Sequence, residues 1–230
     1  MKDFKDFEKS VGLTFKNQKL LKQAFTHRSY LNEHKSSDLS HNERLEFLGD
    51  AVLELIVTEY LYSKYPHFNE GEMTALRAAV VNANTLSNIA SAVGMNDYLL
   101  LSHGEAKDKG RARQYILANT FEAFVGAVFL DVGYNTARDF VGKHTFSLLE
   151  DIVTQGLWSD SKSSFQEEAQ ERVGLTPSYK TVSEEGPDHD KSFVVGVYLG
   201  AEEVATGSGK SKQDAEQAAA RGALAVKGWG

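Results

Sequence analysis

The sequence predicts an all-α domain followed by a small α+β domain of order α-β-β-β-α. Apolar residues recur at helical spacing as far as about residue 155. A polar, serine-rich stretch, Gly156 to Ser164, then breaks the pattern. Beyond it, three short segments alternate at strand spacing before an alanine-rich helix.

Asn17 to Ala24 reads as a short helix. Asn42 to Lys64 is a long one, with Ser40 and Asn42 as capping candidates and a stop before Pro66. Glu70 to Val93 reads as a second long helix, ended by Gly94. Arg113 to Leu130 is apolar on nearly every side and is expected at the centre of the domain. Asn135 to Gln155 closes the domain before Gly156. The expected division is residues 1–156, a flexible linker at 157–162, and a second domain at 163–230. There, Phe165 to Val173 is a helix. Ser178 to Ser183, Ser192 to Leu199 and Glu203 to Ser208 are antiparallel strands, separated by Gly186-Pro187-Asp188 and by Gly200. Ser211 to Val226 is the last helix, with both helices expected on one face of the sheet.

At 41% apolar and 25% charged residues the chain has an ordinary globular composition. It has no cysteine, so disulfides and thiolate metal sites are excluded, which fits a reducing cytoplasm. The N-terminus does not resemble a secretory signal, and the apolar run Ala123 to Leu130 is too short to span a bilayer, so no membrane partner is expected. Net charge is −7, and residues 160–230 carry twelve acids against eight bases. Any phosphate-binding surface must therefore come from positioned Lys, Arg and helix N-termini rather than from bulk charge.

The most informative run is Glu43-Arg44-Leu45-Glu46-Phe47-Leu48-Gly49-Asp50-Ala51. Glu43, Glu46 and Asp50 stand at i, i+3 and i+7, within about 60° of one another on a helix. Leu45, Leu48, Val52 and Leu55 form the opposite face. Acids so spaced are most often a solvated face. Here Glu46 and Asp50 adjoin Phe47-Leu48, and Glu122 sits inside the most apolar helix, three residues after Asn119. Carboxylates in such surroundings need a positive partner, and a hard divalent cation held by oxygens supplies one. His27, His34 and His41 are seven apart, but neither an i, i+4 histidine pair nor a cysteine accompanies them. They are read as structural, with His27 making local hydrogen bonds.

This run resembles the signature of the ribonuclease III family at every position. Phe25-Thr26-His27-Arg28-Ser29-Tyr30 and the segment Ile116 to Ala127 resemble it too. The resemblance implies an all-α endonuclease domain followed by an α+β (α-β-β-β-α) double-stranded RNA-binding domain. It implies Mg²⁺-dependent hydrolysis of double-stranded RNA, with Mn²⁺ as a substitute and two ions serving the attacking and leaving oxygens. Products would carry 5′-phosphate and 3′-hydroxyl ends with two-nucleotide 3′ overhangs, in the processing of ribosomal and other structured RNA precursors. Glu46 and Glu122 are implied as metal ligands, Asp50 as a ligand or as an orienting carboxylate. Glu43 and Glu70 would lie at the edge of the catalytic valley. Asn119 departs from the pattern, because the family usually has Asp there. It keeps a carbonyl oxygen for the metal but removes a charge, so weaker Mg²⁺ affinity is expected. An RNA-binding protein with an impaired metal site is the alternative reading.

Residues 162–228 resemble a double-stranded RNA-binding domain. The resemblance implies three contact patches: Gln166, Glu167 and Gln170 on the first helix, the loop Gly186 to His189, and Lys210, Ser211, Lys212 and Gln213 at the start of the last helix. Such patches read the minor groove, the 2′-hydroxyls and the phosphates of A-form RNA. Gly207-Ser208-Gly209-Lys210-Ser211 ends like a nucleotide-binding P-loop, but the required first glycine is missing at Val204, so no nucleotide cofactor is expected. Phe47 is either core or interface. The resemblance implies a homodimer in which this ring packs into a socket on the partner.

Overall fold

The computed structural model describes residues 3–155, 161–187 and 191–229. Its two units are Met1–Trp158 and Ser159–Gly230. In the first, the described elements are α1 (Phe4–Val11), α2 (Gln18–Ala24), α3 (Arg28–Glu33), α4 (Glu43–Lys64), α5 (Glu70–Val80), α6 (Ala83–Ala92), a 3₁₀ turn (Met95–Asp97), α7 (His103–Lys107), α8 (Arg111–Val132) and α9 (Tyr134–Gln155).

Helix α8 is the axis of this unit, as its all-round apolar sequence requires, and α2, α4, α6 and α9 pack against it. Phe121, Phe124, Val125 and Val128 are fully buried. Phe124 meets Phe7 of α1 edge-on at 5.3 Å, and Phe7 meets Phe25 at 4.9 Å. By length and composition α8 could cross a membrane, but most of it is buried in this core. At its far end, Asp131 accepts hydrogen bonds from the backbone N–H groups of Lys16 (2.6 Å) and Asn17 (2.9 Å), fixing the entry to α2. The buried Glu8 carboxylate is satisfied by the Phe15 N–H at 2.6 Å and by the Gln18 amide.

Three sequence expectations change. The helix expected over Glu70 to Val93 is two helices. Val81 ends α5, and Asn82 caps α6 by accepting from the Thr85 N–H at 3.0 Å, while its own amide donates to Ala79 O at 2.8 Å. A single Asn that satisfies backbone groups on both sides makes the break without Gly or Pro. Asn42 occupies the N-cap position of α4 but makes no side-chain cap; its amide donates to Ala24 O at 3.1 Å and its N–H to Thr26 O at 2.9 Å. It ties α4 to the end of α2. Leu55, expected on the buried face of α4, is 56% exposed.

Helices α4 and α8 cross at two glycines. A β-carbon on Gly49 would lie 1.7 Å from Glu122 O, and one on Gly126 would lie 2.4 Å from Leu45 O. Only hydrogen fits at either position, so the backbones themselves touch.

In the second unit α10 (Ser161–Val173) precedes β1 (Ser178–Glu185), β2 (Ser192–Leu199) and β3 (Glu202–Gly209), and α11 (Lys212–Lys227) follows. The helix takes in Ser161 and Lys162, which had been assigned to the linker; residues 157–160 lie outside the described residues. The sheet is antiparallel in the order β1-β2-β3. Phe165 and Ala169 of α10 and Ala219, Ala220 and Ala223 of α11 bury one face of it against Val197 and Leu199. Gly207 and Gly209 sit where a β-carbon would come within 2.1 Å and 2.5 Å of the α11 backbone. Helix packing thus accounts for the glycines of the P-loop-like run.

Substituting Gly49→Ala should lower the unfolding free energy by about 2–4 kcal/mol despite alanine's better helix propensity, because two backbones must separate. Urea denaturation of the variant checks this; an unchanged midpoint would show that the crossing yields easily.

Candidate active site

The crossing places the acid face of α4 beside α8. Glu46 precedes Gly49 by three residues and Asp50 follows it, while Glu122 supplies the carbonyl that Gly49 approaches. Glu46, Asn119 and Glu122 are half-buried and Asp50 is exposed. Burial pushes Glu122 up to about 7, and the charges of Asp50 and Glu46 push in the same direction. Glu46 is raised for the same reasons: burial first, then Glu43, with Asp50 adding to it. A side-chain hydrogen bond from Asn119 opposes that rise. Among the described residues, the groups that shift the two glutamates are other acids and, for Glu46, Asn119.

Glu43 belongs to the same strip but has its own partners. Arg28 Nε lies 3.2 Å from one carboxylate oxygen, and His41 Nδ1 lies 3.7 Å from the other. Neither residue was given a site role from the sequence. The signal available was the segment Phe25 to Tyr30, whose arginine only becomes meaningful once α3 meets α4. His27 does make local bonds: Nδ1 accepts from the Ser29 N–H and pairs with Ser29 Oγ at 2.8 Å. Glu70 opens α5, exposed, and is not among the groups that shift Glu46 or Glu122. Among the described residues no three His, Cys, Asp or Glu side chains converge to enclose a cation. The donor set is instead a pair of half-buried carboxylates with an exposed acid and an amide nearby. That suits a hard cation that keeps several of its waters and needs only one or two carboxylates from the protein.

Phe47 is 82% exposed, which removes core packing within the monomer as its role. Leu55 and Tyr62, 56% and 74% exposed, lie within about 80° of it on α4.

On the second unit, Gln166, Glu167 and Gln170 are exposed along α10. Ser211 caps α11, accepting from the Asp214 N–H at 3.1 Å, and its hydroxyl donates to the Asp214 carboxylate at 2.7 Å. Lys210, Lys212 and Gln213 are exposed beside it. His189 lies outside the described residues.

A helical unit with an acid face on α4 beside Glu122 of α8, followed by an αβββα unit, is the layout of a two-domain protein that pairs a carboxylate site with a separate small α+β module. Residues 17–149 match the model described as Ribonuclease-III-like, and residues 161–227 match the double-stranded RNA binding motif. A protein named Ribonuclease 3 from Geobacillus thermodenitrificans is 46% identical over 96% of this chain and 89% of its own length. Another of that name, from Nitratiruptor sp., is 41% identical over 98% of this chain and 97% of its own. The solved nuclease domain of ribonuclease III from Campylobacter jejuni, whose structure concerns a region involved in dimer formation, is 36% identical with a TM-score of 0.56, covering 62% of this chain and 98% of that one. This chain belongs to the ribonuclease III family and is an endoribonuclease with a double-stranded RNA-binding domain.

The raised glutamate sets a pH dependence. Folded Glu122 titrates at about 7, against 4.5 for the unperturbed group. Between those values the native state holds a proton that the unfolded state has lost, so Glu122 costs stability as pH rises through that interval. Metal-free Glu122→Gln should therefore melt higher than the parent chain at about pH 8, by about 2–4 °C for each kcal/mol that survives solvent screening. The gap should close on acidification below the unperturbed glutamate value. A gap that stays constant with pH in thermal melts would rule out this origin.

Proposed function

We propose that this chain cuts double-stranded RNA in a Mg²⁺-dependent reaction, as a homodimer, leaving 5′-phosphate and 3′-hydroxyl ends with two-nucleotide 3′ overhangs. The observation that carries this reading is the acid pair Glu46 and Glu122, raised by burial and by neighbouring acids on two glycine-locked helices. Magnesium fits that chemistry. Glu46 and Glu122 would hold it, with the Asn119 carbonyl and Asp50 nearby, and Mn²⁺ would serve as a substitute. When bound, the metal supplies charge neutralisation at the attacking and leaving oxygens of an in-line displacement.

The chain's own groups do the rest. Asp50, exposed at the cluster, can accept a hydrogen bond from an incoming water and orient it toward the phosphorus. Glu43, held by Arg28, shapes the valley edge, and Glu70 is assigned to the same edge. Gln166, Glu167 and Gln170 reach the minor groove of the duplex. Lys210, Ser211, Lys212 and Gln213 face its phosphates, and the loop carrying His189 enters the next groove. The exposed Phe47 ring, with Leu55 and Tyr62 beside it, supports a dimer in which the ring seats in the partner. Two sites on one duplex would then cut both strands. Precursors of ribosomal RNA and other structured RNAs in the cytoplasm are the expected substrates.

Asn119 favours a second reading, in which the chain grips duplex RNA without cutting it. A gel assay of a long RNA duplex with Mg²⁺ or with chelator separates the two. Short duplex products appearing only with Mg²⁺ are expected; an intact duplex that still shifts on a native gel would favour the second reading.

Two variants extend the assay. Glu122→Gln should cut the rate at least about 100-fold, since it removes a proposed ligand. Asn119→Asp should lower the Mg²⁺ concentration for half-maximal rate, by about tenfold if the restored charge acts as one well-placed interaction. An unchanged Mg²⁺ requirement would sink this account of Asn119.

A further inference from the structure

The start of α11 holds an arrangement that the RNA-binding reading leaves unexplained. Glu184 and Phe193 are direct partners in the β1–β2 ladder, so their side chains stand together on one side of the sheet. Lys212, the first residue of α11, leans back over them. Its ammonium group lies 5.7 Å above the Phe193 ring and 4.0 Å from a Glu184 carboxylate oxygen. Lys191, immediately before β2, donates to the other Glu184 oxygen at 2.8 Å. One carboxylate thus sits between two lysines, one just before β2 and one just after β3, at the same end of the sheet. Phe193 supplies a half-buried platform for the lysine stem, where a cation is favoured.

We propose that Glu184 is an internal counter-ion that competes with RNA phosphates for Lys212 and Lys191 and so weakens duplex binding. The inference rests on the reading of Lys212 as a phosphate contact and extends it to Lys191, which shares the Glu184 carboxylate. A phosphate approaching Lys212 must displace, or share the lysine with, a carboxylate that already neutralises it. Binding then releases less counterion than two free lysines would, and part of the phosphate attraction is spent on breaking the ion pairs. For an enzyme that must let go of its cut duplex, a weakened grip favours turnover. Glu185, the next residue, points to the other side of the strand and faces Ser192 in the ladder, so it carries the same charge without the same geometry.

The test is a native-gel titration with the full-length chain in chelator, so that no cutting occurs. The duplex is about twice the roughly 16 base pairs that one such domain spans. Glu184→Gln is expected to bind about two- to fivefold more tightly, the scale of a part-exposed ion pair. Its salt dependence should steepen by up to about one unit for each lysine released. Glu185→Gln should leave affinity within experimental error of the parent. Adding Lys212→Met and Lys191→Met to Glu184→Gln should abolish the gain. Unchanged or weaker binding by Glu184→Gln overturns the proposal, as does equal tightening by Glu185→Gln, which would mean bulk charge alone is at work. Thermal melting of each variant establishes that it is folded. A parent chain that does not shift the duplex at all would overturn the RNA-binding reading itself, and this inference with it.

Discussion

Everything at the candidate site depends on how closely two helices can approach. With a side chain at Gly49 or Gly126, α4 and α8 would stand apart by at least a methyl group. The acids on α4 would then face water, and Glu122 would lose the burial that chiefly raises its pKa together with the acid neighbours that add to it. Contact through hydrogen alone makes one electrostatic unit of two helices whose touching glycines, Gly49 and Gly126, lie more than seventy residues apart in sequence. The cost is borne by the metal-free protein, which keeps like charges close in a half-buried setting. This is the trade expected where local stability is given up for a site that favours a cation.

Asn42 plays a quieter part in the same construction. Its backbone and side chain both bond the end of the α2 segment, so the first turn of α4, which carries Glu43 and Glu46, is held in place. Arg28 then reaches Glu43 from the adjoining helix. The strip of three acids is thereby divided: one is paired with an arginine, and two are left to the crossing.

The helical periods and the alternating strands were legible because each depends on residues close together in sequence. The long helices α4, α8 and α9 and all three strands stand within a few residues of their expected bounds. The break at Val81 and Asn82 was not legible, because an Asn between alanine-rich turns looks like any polar helix position until it caps. The spacing of Glu43, Glu46 and Asp50 announced an acid face, and Glu122 stood out by its apolar surroundings. What spacing could not give was the partition within that face. Arg28 and His41 meet Glu43 only through tertiary contact, and Leu55 faces solvent although its helical angle suits the core. Phe47 shows the reverse: its exposure removes core packing within the monomer, which helical spacing alone left open.

The order in which the chain is made gives the α4–α8 crossing a further meaning. Synthesis proceeds from the N-terminus, and the helix against which α1, α2 and α4 bury their faces lies at Arg111–Val132. Until that stretch has left the ribosome, the rings of Phe7 and Phe25 have no Phe124 to meet, and the glycine notch of α4 has nothing to close on. Contacts this distant in sequence form late. A nascent chain therefore carries its acid strip exposed and unassembled while the stretch from Ala51 to Val132 is being translated, and the nuclease core can close only after its central helix emerges.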